Sequence, residues 1–314
     1  MLRFRAIVVG AILVGWMFAA PVAARQMQAP GSRIVLDLDE VWTPAPNFSG
    51  FIYQRANASI LINEFPPEAF AQISTGMTPA KLAERFQNVE IIRLDRPDDH
   101  VFVTADQATA MGVFAKFLLV LKGEATTALV TVTVPRDRIS ASGPLSRAAL
   151  ADMLTRATVA ASAAPAAAPI VTVTNPGPFK EAGVFAGQSR IYTLDGQMGP
   201  DTAGKPVLVI APSLDRRATA MSNQDAARML STTAGVRDVT LSPATSAVID
   251  GRNTVVTQAR AVDAKTGTPM LLHQFVVLRR GGGYVRVVAI LPASDREQLV
   301  PAVVTLAESM KIAD

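Results

Sequence analysis

The later half of this chain repeats the earlier one. Near its middle it reads Phe117-Leu-Leu-Val-Leu-Lys-Gly123 and then Leu129-Val-Thr-Val-Thr-Val-Pro135. Near its end it reads Phe275-Val-Val-Leu-Arg-Arg-Gly281 and then Arg286-Val-Val-Ala-Ile-Leu-Pro292. Phe117 and Phe275 lie 158 positions apart and the closing prolines 157 apart, so one residue of hairpin loop absorbs the difference. Each pair of runs alternates as paired strands do, with successive side chains on opposite faces. A chain with such a duplication folds as two like bodies.

Composition marks the boundary between them. Residues 158–169 read Thr-Val-Ala-Ala-Ser-Ala-Ala-Pro-Ala-Ala-Ala-Pro, with no large apolar group after Val159 and two helix-interrupting prolines. The expected division is a first α+β body over 31–157, an Ala/Pro linker over 158–169 and a second α+β body over 170–314. Each body holds its own core.

The same order of elements is legible in both. The first opens with a strand over Arg33–Asp39 and continues with a strand over Ser59–Phe65. A helix then opens at Thr78-Pro79, with Leu82 and Phe86 on one face. Strands at Val89–Leu94 and Val101–Thr104 precede the duplicated hairpin, and a helix with Leu150, Met153, Leu154 and Ala157 closes the body. In the second, Pro206–Pro212 matches the Ser59 strand, and Ser222-Asn-Gln-Asp225 opens a helix bearing Ala226 and Leu230. Strands at Val236–Leu241 and Thr254–Val262 follow. Ser294-Asp-Arg-Glu297 has the form of a capping box for the closing helix, whose stripe is Leu299, Val303, Leu306 and Met310. Met153 and Met310 are again 157 apart. Runs of strands bracketed by helices, with no βαβ rhythm, predict antiparallel sheets packed with helices.

The N-terminus reads as an export signal. Arg3 and Arg5 precede an uncharged, mostly apolar stretch over Ala6–Ala20, and Pro21-Val-Ala-Ala24 offers small residues for cleavage. The apolar run stops short of the roughly 20 residues a spanning helix needs. The expected location is the periplasm or outside, with cleavage near Ala24 and no stable membrane insertion of the mature chain. Removing Arg3 and Arg5 leaves 28 basic against 26 acidic residues. That balance gives no electrostatic argument for nucleic acid. Without cysteine, disulfide and thiolate chemistry are excluded.

Alternation also sorts the hairpin faces. Thr131 and Thr133 suit a lightly covered face, while their counterparts Val288 and Ile290 are apolar. The second sheet thus has an extra apolar face to cover, by its own closing helix or an opening segment, or by the first body, a partner or a ligand. Val288 and Ile290, with the nearby doublet Arg279-Arg280, form the candidate interaction surface. Arg216-Arg217 is a second basic doublet.

A search for chemistry returns no catalytic, cofactor or metal residues. His273 shares a strand side with Phe275 and Val277, as a core histidine would. His100 follows Asp98-Asp99 in a turn that rarely converges on one ion. Gly187-Gln-Ser189-Arg-Ile191 lacks the last glycine of a nucleophile elbow. Gly281-Gly-Gly283 joins two strands and so reads as a hairpin turn rather than a phosphate cradle. No enzyme and no cofactor are expected.

The Ser59–Phe65 strand, the Thr78-Pro79 helix, the 117–135 hairpin and the closing helix, repeated in the second body, resemble the PsbP-like fold. That resemblance covers most of 31–157 and 179–314 and implies an interaction module without chemistry. The leading expectation is therefore an exported, non-catalytic module that binds a protein or serves an envelope complex. A carrier of a small apolar ligand and a hydrolase without a readable motif are the alternatives.

Overall fold

The computed structural model describes residues 24–92, 100–109, 112–185, 188–197, 203–214 and 220–313. The export-signal residues 1–23, Asp98, Asp99, Gly187 and the Arg216-Arg217 doublet lie outside them.

The first half runs β1 (Arg25–Gln28), β2 (Ile34–Leu38), β3 (Thr43–Pro44), β4 (Gly50–Tyr53) and β5 (Ala58–Phe65). It continues with α1 (Ala69–Gly76), α2 (Pro79–Leu82), β6 (Gln87–Ile92), β7 (His100–Thr109) and β8 (Gly112–Lys122). It ends with β9 (Thr127–Pro135), α3 (Arg147–Thr155) and β10 (Thr158–Val159). The second half runs β11 (Val171–Val173), β12 (Lys180–Phe185), β13 (Ser189–Thr193), β14 (Val207–Pro212), α4 (Asn223–Ser231) and β15 (Val236–Leu241). Then come β16 (Thr245–Ile249), β17 (Arg252–Asp263), β18 (Pro269–Leu278), β19 (Tyr284–Pro292), α5 (Arg296–Glu308) and β20 (Met310–Ile312). The class is α+β, with antiparallel sheets.

One strand order serves both main sheets. The first is β3-β4-β5-β9-β8-β7-β6, and the second is β12-β13-β14-β19-β18-β17-β15, with β16 added on β17. In each half the opening strand pairs with the strand after the closing helix, β2 with β10 and β11 with β20. Both outer strands β6 and β15 carry a bulge at a residue of positive φ, Asn88 (50°) and Asp238 (57°). Asn and Asp tolerate that left-handed backbone better than other side chains.

Alternation places the cores. Phe117, Leu119 and Leu121 of β8 join Val130, Val132 and Val134 of β9 on one face. There they meet Ile34, Leu36 and Leu38 of β2 and Leu150, Met153 and Leu154 of α3. Ser146 caps α3, its Oγ accepting from the Ala149 N–H at 3.2 Å. The second half packs Phe275, Val277, Val285 and Val287 against Leu299, Val303 and Leu306 of α5. Each such fully buried side chain contributes about 1.5–3 kcal/mol.

The structure corrects several sequence expectations. Lys122 faces Thr127 across the first hairpin end, and Leu278 faces Tyr284 across the second. Aligned on those ends, Phe275 corresponds to Leu119, not to Phe117. A slip of two residues keeps every side chain on its face, so alternation could not detect it. Arg279-Arg280 consequently sits in the hairpin loop rather than opposite Leu121-Lys122. Met153 lies in α3 whereas Met310 lies in β20, so that match fails. Ser294-Glu297 is no capping box, because a 3-10 turn over Ala293–Asp295 makes Asp295 the residue before α5. β16 is a strand that the sequence analysis did not expect, although Asp250-Gly251 between Ile249 and Arg252, both with positive φ, is a strong hairpin signal.

The Ala/Pro segment is no free tether. Its Ala160 and Ala164 amides donate to the Arg33 and Ser32 carbonyls at 2.7 and 2.9 Å, and the Gly31 amide donates to the Pro165 carbonyl at 3.2 Å. Its far end meets the second half, where the Gln188 side chain donates to the Ala168 carbonyl at 3.3 Å.

Candidate functional site

The segment 158–169 floors a cleft of about 620 Å³ between the halves, through Ala166, Ala167 and Pro169. One bank is the end of β5, and the other is β12 with β13.

The first bank exists because β4 leaves β5 early. Pairing runs only from Tyr53↔Ala58 to Gly50↔Leu61, followed by one bond from the Ile62 amide to the Ser49 carbonyl at 2.9 Å. Gly50 has φ 147°, and a Cβ there would stand 1.8 Å from the Ile60 carbonyl oxygen, so only glycine permits this approach. Beyond it the chain turns into a loop whose Asn47 side-chain N–H donates to the Ser213 carbonyl, linking the halves. Among the described strands, β9 is the one neighbour of Asn63 and Glu64. The Asn63 side chain is 6% exposed, and its Oδ1 has no partner among the described residues.

The second bank is an edge strand. Among the described residues β12 pairs only with β13, with a register shift between Glu181 and Gly183. Past the shift, Gly183 and Val184 line the cleft, and Val184 is 54% exposed. The charges at the rim are already matched. Glu64 accepts from the Arg33 amide at 2.7 Å and lies 3.7 Å from its guanidinium, while Arg190 donates to Glu181 at 2.7 Å. The cleft therefore offers apolar walls and backbone groups, with no net charge to satisfy. Nothing in it pairs a nucleophile with a base: Ser49 Oγ donates to the Pro30 carbonyl at 2.9 Å.

Other hollows lie elsewhere on the described surface. Arg55 and Arg138 line adjoining depressions of about 760 and 370 Å³ at one end of the first sheet. A hollow of about 640 Å³ beside β16 has an uncharged lining that includes Met221, Val248, Val255 and Leu278. No group of three or more His, Asp or Glu that could hold a metal occurs among the described residues.

The residues singled out from the sequence do not converge. Val288 is 7% exposed and Ile290 half-buried, both packed in the cluster that Leu230 of α4 closes. Their cover is α4 rather than the closing helix or an opening segment, and Val288 with Ile290 forms no open interaction surface. Arg279 is 6% exposed and donates to the Ala313 carbonyl at 3.3 Å, tying down the chain end. Arg280 is exposed. His273 is 3% exposed, with its ring centroid 4.6 Å from that of Phe275. Burial pushes its pKa down to about 4, so the ring is neutral and inert at neutral pH. No sequence signal marks the cleft residues Glu64, Val184 and Arg190, because their place in it depends on where the strands around them stop.

The sequence matches no family model. No curated protein matches it either. Among solved structures it is similar to LpqN, involved in cell envelope biogenesis of Mycobacterium tuberculosis, at 14% identity and TM-score 0.35, over 47% of this chain and 85% of that one. It is also similar to cyanobacterial PsbP from Synechocystis, at 15% identity and TM-score 0.28, over 46% of this chain and 81% of that one. The immunity protein TplEi from Pseudomonas aeruginosa, solved with a peptide, covers 91% of this chain and 98% of its own at 9% identity and TM-score 0.30. Scores this low carry neither a residue nor a function across.

Proposed function

We propose that this chain is an exported, non-catalytic binding protein of the cell envelope. It is built from two copies of one PsbP-like sheet-and-helix unit, and it holds a protein partner in the cleft between them. The observation that carries this reading is the cleft itself: apolar, charge-matched, and bounded by strand edges that no other described strand flanks. The shared strand order, the matching bulges and the like closure of each half support duplication. The basic, apolar and small-residue succession over Arg3–Ala24 supports export. No described helix is long and apolar enough to cross a membrane.

The test places a photo-cross-linking residue at Val184, and separately at the exposed Val113 on the first sheet, in protein secreted from bacterial cells. The expected result is a mature chain beginning at Arg25 and one protein adduct from position 184 that is absent from position 113. Equal labelling at both positions, no adduct at 184, or turnover of any substrate by the purified protein would overturn the reading. The uncharged hollow beside β16 supports a second reading, transport of a small apolar ligand. Native mass spectrometry would reveal that as a retained lipid-like mass.

A further inference from the structure

Resting on that reading, we propose that the cleft takes its partner as a single added β-strand: an uncharged, extended peptide segment that pairs with the free edge of β12 at Gly183–Val184.

Open edges are the natural sites of strand addition, and folded proteins block the ones they do not use. Here the blocked and unblocked edges can be told apart. β6 and β15 are disrupted by the bulges at Asn88 and Asp238, and β3 is two residues long and ends in Pro44. β12 is guarded only at its start, by Lys180, Glu181 and the register shift that follows. Gly183 and Val184, beyond the shift, carry no charge and sit inside the cleft.

The opposite bank has matching groups. The Ile62 amide points toward the loop that ends β4, since it donates to the Ser49 carbonyl. Backbone direction repeats every second residue in a strand, so the Glu64 N–H and C=O point the same way, where no strand follows. A chain lying in the cleft would find backbone groups on both sides. Ala166, Ala167 and Pro169 form the floor between the two banks, so a chain in the recess has walls on three sides. The rim pairs Arg33–Glu64 and Arg190–Glu181 are already neutral, so a charged peptide gains nothing and loses hydration. Phe48, Ile191 and Val184 provide apolar contact for its side chains. A segment of about five residues, roughly 17 Å when extended, is the common strand length.

The experiment pans a random heptapeptide phage library on the mature protein and measures selected synthetic peptides by fluorescence polarisation. The expected peptides lack charge. N-methylation of every second amide weakens them at least tenfold, the intervening positions change affinity less than twofold, and bound peptide slows exchange of the Val184 and Glu64 amides. Val184→Pro abolishes binding. Should that variant fail to fold, Val184→Lys, which keeps the backbone and places a charge at the edge, lowers affinity at least tenfold. A library without binders, peptides indifferent to N-methylation, or unchanged exchange at Val184 overturns the proposal. So does a dimer in sedimentation that consumes the β12 edge. Cross-linking at Val184 without the alternating N-methyl pattern sinks strand addition and leaves the binding reading intact. Absence of that cross-link sinks the binding reading itself.

Discussion

The helix-covered faces of the two sheets hold opposite arrangements of polar and apolar side chains. On the first, Lys116 faces Thr133 and Val120 faces Leu129; at the matching places of the second, Leu272 faces Ile290 and Val276 faces Arg286. Between them, Leu118 opposite Thr131 becomes Gln274 opposite Val288. The polar end of one face is thus the apolar end of the other, and the covering helices are held by different forces. Beneath α4, Gln274 donates to the Ala226 carbonyl at 2.9 Å and to Thr257 Oγ1 at 2.8 Å. Arg286 donates to Gln274 Oε1 at 2.7 Å, to the Met229 carbonyl at 2.9 Å and to Thr233 Oγ1 at 3.1 Å. That network fixes α4 by its own carbonyls. Beneath α1 and α2 there are apolar contacts of Leu82 and Phe86 with Val103 and Leu118, and Lys116 Nζ meets Thr133 Oγ1 at 2.8 Å. None of the residues of α1 is buried. The two sheets share a strand order and differ in how the helix layer is attached.

The sharpest way to break this comparison is Arg286→Met. Removing one member of a buried network strands the rest, and a loss of about 3 kcal/mol is expected in urea unfolding. The pair Arg286→Met with Gln274→Leu, which gives the second half the apolar character of the first, recovers a large part of it. A loss below about 1 kcal/mol for the single variant would make the network ornamental.

His273 gives the next largest effect, seen in pH rather than in a variant. Its folded pKa of about 4 lies below the ordinary 6.5, so between those values the unfolded chain binds the extra proton. Stability is unaffected above pH 6.5, falls as pH drops through the window, and is lower by about 3 kcal/mol once pH is below 4. His273→Phe flattens that slope, which a pH series of unfolding midpoints measures.

Lys116→Leu tests the first half. Burial lowers the pKa of this lysine, and no carboxylate partners it among the described residues, so keeping it charged costs stability at neutral pH. The substitution raises stability by about 1–2 kcal/mol, and adding Thr133→Ile, the second half's own pair, retains the gain. The smallest expected effects are at the caps. Ser146→Ala and Ser222→Ala each cost about 1 kcal/mol, since each hydroxyl accepts one helix amide, from Ala149 and Asp225. Hydrogen exchange distinguishes the layers without any substitution: amides of α1 and α2 exchange before those of α4.

How much was legible follows from the same physics. Strand faces, the stripes of α3 and α5 and the Ser222 start of α4 all depend on local period and capping, and these were readable. Residue-level equivalence was not, because a two-residue slip changes no face. Coverage of Val288 was not, because it depends on Leu230 arriving from another element. The cleft was least legible of all. No residue type announces a strand edge with nothing beside it, and Glu64 and Val184 gain their interest from where β4 and β12 stop.

Each half is closed by its own last residues, since β10 returns to β2 and β20 to β11. Asp250 fastens the second closure, accepting from the Ile312 amide at 3.0 Å, and the Arg252 guanidinium grips the Ile312 carbonyl at 2.6 Å. A chain made in order of synthesis can seal the first half once Val159 is out. The second stays unlatched until Met310–Ile312 has been made. That short strand acts as a buckle, and until it arrives the second half is the one a protease can enter.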